Sequence, residues 1–124
     1  MKLHHSAYTI KKGYADLLED FCVFLGAKKI WEGFDQGKEI AMQFEEGFTL
    51  QFSEITAFTA VTKNKQETHI AFSSTNPQTD LETIQKWFSD QNIITKTGSW
   101  SESELWIDCP EVFSNFVIEI LDVR

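Results

Sequence analysis

The chain has 124 residues, 42% hydrophobic and 14% aromatic, enough apolar surface for one folded core, which argues against disorder as the default state. Its formal net charge is −8, with ten lysines and a single arginine at the last position, which argues against nucleic-acid and anionic-membrane partners because both require a basic surface. No apolar run reaches the length of a spanning helix and the N-terminus lacks the apolar segment of a signal peptide, so a cytoplasmic protein is expected, with Cys22 and Cys109 as packed free thiols.

In chain order, LHHSAYTI (3–10) alternates apolar and polar residues as a strand does. Tyr14, Leu17, Leu18, Phe21, Phe24 and Leu25 follow at helical spacing, and Gly26 suits the end of that helix. Three strand-like runs come next, at about 27–33, 38–45 and 48–54, with Gly33, Gly37 and Gly47 marking turns. HIAFSS (69–74) begins the pattern again. The segment NPQTDLETIQKWFSDQN opens with capping signals and carries Leu81, Ile84, Trp87 and Phe88 as an apolar stripe. Runs near 93–98, 103–109 and 116–122 complete it.

The two halves repeat. His5, Ala7, Leu17, Phe24 and Ile30 fall on His69, Ala71, Leu81, Phe88 and Ile94 at an offset of 64. The offset grows to 65 where Glu39-Ile40-Ala41-Met42 falls on Glu104-Leu105-Trp106-Ile107, and to 68 where FTLQFSE (48–54) falls on FVIEILD (116–122). The drift implies a longer loop around Pro110 to Asn115. The unit is β-α-β-β-β, present twice as modules of about 1–60 and 65–124 within a single domain.

Alternation along strands sorts the side chains by face. Tyr8, Ile10, Phe48, Leu50, Phe52, Ile70, Phe72, Phe116, Ile118 and Ile120 share the parity that the helices should cover. The opposite parity carries His5, Ala7 and Thr9; Thr49, Gln51 and Ser53; His69, Ala71 and Ser73; and Glu119. Its larger polar groups occupy matched places, so that pseudo-twofold pairing of the modules would make His5, Gln51, His69 and Glu119 converge. Two imidazoles with a carboxylate and an amide oxygen suit a divalent transition metal with open positions for substrate. His4, of the other parity and without a repeat partner, reads as a surface or helix-side residue. Trp31, Trp100 and Trp106 could line a ligand cleft, whereas Trp87 belongs to the core. Glu32, Glu45, Glu46, Glu102 and Glu104 read as a solvated acidic surface.

With LHHSAYTI, DLLEDFCVFLGAKKI, THIAFSS and NFVIEIL in place, the sequence resembles the vicinal-oxygen-chelate superfamily of glyoxalase I, bleomycin-resistance proteins, extradiol dioxygenases and thiol-dependent fosfomycin-resistance enzymes. The resemblance spans nearly the whole chain. It implies an α+β fold of two βαβββ modules forming a curved, mostly antiparallel open barrel. It also implies a Zn, Ni, Mn or Fe ion held by His5, Gln51, His69 and Glu119, and a homodimer acting on a small oxygenated molecule as a lyase or isomerase. In such a site Glu119 or bound water would move the proton. The sequence departs from the family at DCPEVFSNFV, which replaces the usual Asp-Pro-x-Gly-Asn turn and bears on the register of Glu119. Its scarcity of arginine removes the clamps expected for glutathione or a phosphonate. A metal-free binding module, whose tryptophans stack on a flat cationic ligand, is the alternative; a non-catalytic domain with a decayed site is the third.

Overall fold

A computed structural model describes residues 1–56 and 65–122, together with the backbone but not the side chain of Glu46. The module junction expected between 60 and 65 therefore falls outside the described residues. The chain divides into two compact units, Met1–Thr59 and Ala60–Arg124. Unit 1 runs β1 (Ser6–Lys11), α1 (Ala15–Phe24), β2 (Lys28–Phe34), β3 (Lys38–Gln43) and β4 (Thr49–Ile55). Unit 2 runs β5 (His69–Ser74), α2 (Pro77–Asp90), β6 (Lys96–Ser101), β7 (Glu104–Asp108) and β8 (Val117–Asp122). Short 3₁₀ turns at Glu45–Gly47 and Lys65–Glu67 precede β4 and β5.

Both units form a four-stranded sheet of one topology, β1-β4-β3-β2 and β5-β8-β7-β6. The last three strands of each unit are joined by short connections and pair antiparallel, while the first strand pairs parallel with the last. A parallel pair cannot be closed by a tight turn, so the helix and two strands between them serve as the crossover. Each helix packs on the sheet of its own unit.

In α1, Ala15, Leu18, Phe21 and Cys22 recur at helical spacing and are buried. The helix stops in a Schellman arrangement: Gly26 adopts φ 101°, its N–H donates to Val23 O at 3.0 Å, and Ala27 N–H donates to Cys22 O at 2.9 Å. At the equivalent end of α2, Asn92 takes φ 61° with matching bonds to Ser89 and from Ile93 to Phe88. The helix starts differ. The side chain of Asn76 caps α2 by accepting Thr79 N–H at 3.3 Å, whereas no side chain at the start of α1 does the same. Instead Glu54, from β4, lies beneath the helix and is only 8% exposed. Its Oε2 accepts Ala15 N–H at 2.9 Å and its Oε1 accepts Lys38 N–H at 3.0 Å, tying the helix start to the β2–β3 hairpin. Gly37 is required beside it, because a Cβ there would lie 2.8 Å from both Cβ and Oε1 of Glu54.

Ile10, Leu18, Phe21, Ile40, Met42 and Phe52 form the buried layer in unit 1; Phe88, Ile107, Ile118 and Ile120 do so in unit 2. The loop expected at 110–115 is not a surface excursion. Cys109, Val112, Phe113 and Phe116 are buried, with Phe113 stacked on Phe116 at 4.4 Å and set edge-on to Phe88 at 6.0 Å. The residues that lengthen the second repeat thus enlarge its core. Three expectations about faces are corrected. Phe48 ends the 3₁₀ turn before β4 and is 63% exposed; Phe24 lies off the buried stripe of α1; and Trp87 is half-buried, beside the edge of Phe88. Glu32 is not merely solvated, since it bridges Lys29 and Lys38 at 2.7 and 3.2 Å, and these partners hold its carboxyl below the usual range.

Glu54→Ala should lower unfolding stability by about 2–4 kcal/mol, because it strands two backbone donors that a buried carboxylate satisfies. Urea denaturation followed by circular dichroism checks this; a loss under half a kcal/mol would mean that the clamp carries no stability. Gly37→Ala should also destabilise, by about 1–3 kcal/mol, through overlap with Glu54.

Candidate functional site

The β1–β4 and β5–β8 ladders share one register: Ala7 lies opposite Gln51 in unit 1, and Ala71 lies opposite Glu119 in unit 2. Each imidazole precedes that alanine by two residues; His69 is the first paired residue of its ladder, whereas His5 stands one residue before β1 begins. Glu119 therefore shares a sheet face with His69, and its neighbours Ile118 and Ile120 face the other way.

In unit 2, His69 opens β5 and is 36% exposed at its side chain, while Glu119 is 5% exposed. His69 Nδ1 lies 3.3 Å from the carbonyl oxygen of Gln66. A carbonyl only accepts, so Nδ1 carries the hydrogen and the neutral ring keeps its lone pair on Nε2. The turn bearing Gln66 is pinned to β7 by the largely buried ion pair of Lys65 Nζ with Asp108 Oδ1 at 2.8 Å. His69 Nε2 and Glu119 Oε1 then face each other at 4.0 Å. No hydrogen bond to the Glu119 carboxylate occurs among the described residues. The two atoms are beyond hydrogen-bond reach of each other, and a cation with bonds of about 2.0–2.2 Å to both would lie close to the line between them. Around them a depression is lined by Gln66, Glu67, Trp100 and Glu104. Trp100 sits at the bulge of β6, 40% exposed, its ring 5.3 Å from that of His69.

In unit 1 the counterparts are engaged differently. His5 lies on the exposed arm before β1, not in the strand, and its Nδ1 is 2.8 Å from Nδ1 of His4. One ring donates and the other accepts, which leaves Nε2 of His5 outside that bond. Gln51, half-buried in the centre of β4, stands between Ala7 and Ala41. Its Nε2 donates to Glu39 Oε2 at 3.0 Å and to Ser53 Oγ at 3.2 Å, and Ser53 Oγ donates to the same Glu39 oxygen at 2.6 Å. Its carbonyl oxygen is left as the free donor atom.

The structure thus brings His69 and Glu119 together within unit 2, while His5 and Gln51 occupy the equivalent places of unit 1 and bond to His4 and to Glu39 and Ser53. Among the described residues, no three His, Cys, Asp or Glu side chains form a cluster able to hold a metal by themselves. Each unit by itself holds ligand atoms of a kind that suits a divalent transition ion: an imidazole nitrogen and an amide oxygen in unit 1, and an imidazole nitrogen and a buried carboxylate lacking a hydrogen bond in unit 2. Sequence reasoning missed His4, Glu39 and Ser53. Glu39 had a visible signal, its repeat as Glu104, but nothing in the spacing showed which way either carboxylate turns. Of the three tryptophans considered for a cleft, Trp100 lines the depression; Trp106 is half-buried with its indole over Gly98, and Trp31 lies over Gly33.

Both cysteines are buried. Burial pushes the Cys22 thiol up to about 12, and burial with the nearby Asp108 charge raises that of Cys109 further. Neither is a nucleophile at neutral pH. Ellman's reagent at pH 8 should find no reactive thiol in the folded protein and two in denaturant; fast labelling of the native state would contradict this.

No protein-family model matches the chain, and no curated protein matches it in sequence. Solved structures match over its full length. The glyoxylase/bleomycin resistance protein/dioxygenase domain from Frankia sp. EAN1pec aligns with a TM-score of 0.63 at 15% identity, covering 100% of this chain and 98% of that one. The fosfomycin resistance protein FosX from Listeria monocytogenes, complexed with Mn(II) and sulfate, gives 0.62 at 17% identity, covering 99% and 90%. A possible glyoxalase from Bacillus cereus gives 0.61 at 16%, covering 98% of each chain. These likenesses establish the fold: the chain has the glyoxalase/bleomycin-resistance-like fold.

Proposed function

We propose that this chain binds a divalent transition metal and acts on a small oxygenated molecule in the manner of a lyase or isomerase. The observation that carries the reading is the facing of His69 Nε2 and Glu119 Oε1 at 4.0 Å, beyond hydrogen-bond reach, on a buried carboxylate that no described residue bonds. Support comes from the repeat, since unit 1 carries an oxygen ligand atom, Gln51, at the ladder position of Glu119, and an imidazole, His5, one residue before its first strand. It comes also from relatives in fold, FosX of Listeria monocytogenes having been crystallised with Mn(II) and 1S,2S-dihydroxypropylphosphonic acid. In this reading two half-sites, His5 with Gln51 and His69 with Glu119, supply the ligands, from one chain or from two chains of a homodimer. The nitrogen and oxygen set suits Zn, Ni, Mn or Fe.

The metal, when bound, supplies Lewis acidity to substrate oxygens. The remaining work falls to the chain's own groups. Glu119, nearly dry and free of hydrogen bonds, is the carboxylate suited to take or return a substrate proton. Trp100 offers an aromatic face beside His69 for a flat or apolar substrate portion. Glu67 and Glu104 make the rim acidic, which disfavours an anionic phosphonate. Partners that are small molecules rather than nucleic acid or an anionic membrane accord with the net charge of −8, and a cytoplasmic setting belongs to the same proposal. The exposed Trp100 also supports a second reading, a metal-free binding module for flat cationic molecules.

Chelator-stripped protein titrated with Mn(II), with free ion followed by electron paramagnetic resonance, should bind stoichiometrically. His69→Ala and Glu119→Ala should each weaken binding by at least about tenfold. Wild-type protein that binds no metal, or variants that bind as wild type does, would sink the metal reading. Quenching of tryptophan fluorescence by a cationic aromatic ligand in the stripped protein would then favour the second.

A further inference from the structure

We infer that Glu39 is a positioning residue that fixes the amide of Gln51 with its oxygen turned outward as a donor; this rests on the metal reading above. A carboxylate can only accept, so the 3.0 Å contact of Gln51 with Glu39 Oε2 has to be made by the amide nitrogen. The Ser53 hydroxyl spends its single hydrogen on the same Glu39 oxygen at 2.6 Å, and so it too faces Gln51 Nε2 as an acceptor at 3.2 Å. Both contacts fall on the amide nitrogen, and a flipped amide would set its oxygen against the Glu39 carboxylate. Its oxygen, at the other end of the amide, receives no hydrogen bond among the described residues.

The same contact explains why an amide stands at 51 where the repeat carries a carboxylate at 119. A carboxylate in place of Gln51 would stand about hydrogen-bond distance from that of Glu39, with like charges opposed and no proton to share. In unit 2 the repeat counterpart of Glu39 is Glu104, which accepts from Ser101 Oγ at 2.9 Å and makes no bond to Glu119. Amide with carboxylate in one unit, and carboxylate with a carboxylate bonded elsewhere in the other, are two solutions to one geometry.

The test uses full-length protein and Mn(II) alone as the probe. Glu39→Gln, isosteric but free to donate or accept, should weaken Mn(II) binding about tenfold to a hundredfold while the thermal midpoint stays within a few degrees of wild type. Gln51→Ala should weaken binding at least as much, and adding Glu39→Gln to it should cost nothing further, because the two act through one atom. The exchange Glu39→Gln with Gln51→Glu should restore binding, since the amide at 39 then donates to the carboxylate at 51. Should Glu39→Gln and the exchange bind as wild type while Gln51→Ala is impaired, Glu39 has no positioning role and the metal reading survives. Should Gln51→Ala and His69→Ala both bind as wild type, or wild type not bind at all, the metal reading itself fails and this inference with it. If Glu39→Gln does not fold, the exchange decides: restored binding supports the pairing and impaired binding overturns it.

Discussion

The parallel ladder between the first and last strands of each βαβββ unit is the constraint on which the candidate site depends. It sets Ala7 against Gln51 and Ala71 against Glu119, and because side chains alternate every residue, one step of slip would send each polar group into the layer under a helix. What holds the register is the apolar parity. Phe52 in β4, and Ile118 and Ile120 in β8, are buried against the helix side, so the intervening positions have no alternative face. Polar residues at the ladder's centre are thus placed by the hydrophobic residues on either side of them.

The two units reach this common frame by different local means. The start of α2 is capped from within its own segment by Asn76, whereas the start of α1 is held by Glu54 from the last strand of its sheet. A long-range clamp makes α1 dependent on a formed sheet and ties helix, hairpin and closing strand into one cooperative piece. Unit 2 gains its extra cohesion elsewhere, from the aromatic cluster of Phe88, Phe113 and Phe116 that its longer β7–β8 connection delivers. Divergence between the halves has fallen on caps and connections, where the ladder register is indifferent to it.

The chemistry follows from strand neighbours and hydrogen bonds. Gln51 lies between Ala7 and Ala41 while Glu119 has Ala71 on one side and Trp106 on the other, and the backbone carbonyl of Gln66 decides which nitrogen of His69 is basic. Glu119 keeps its carboxylate in a nearly dry place without a donor, and Glu39 with Ser53 engages the amide nitrogen of Gln51, so both units present unused acceptors on the open face. Acceptors without donors are costly in isolation and become favourable when a cation is shared.

Residue periodicity alone determined the order of elements, the duplication and the sheet face that Gln51, His69 and Glu119 share within their own units, because two-residue alternation and helical spacing are local properties of the chain. Resemblance added the family of the fold, which the solved structures share. Tertiary structure alone decided that His5 lies on an arm paired with His4, that Phe48 is exposed, that the loop of Val112 and Phe113 is core, and that Glu54 and Glu39 are engaged rather than solvated. Each of these depends on which group from a distant segment arrives within hydrogen-bond or van der Waals reach. Sequence spacing carries the face a side chain occupies, but the identity of what it meets there is fixed only when strands far apart in the chain are laid side by side.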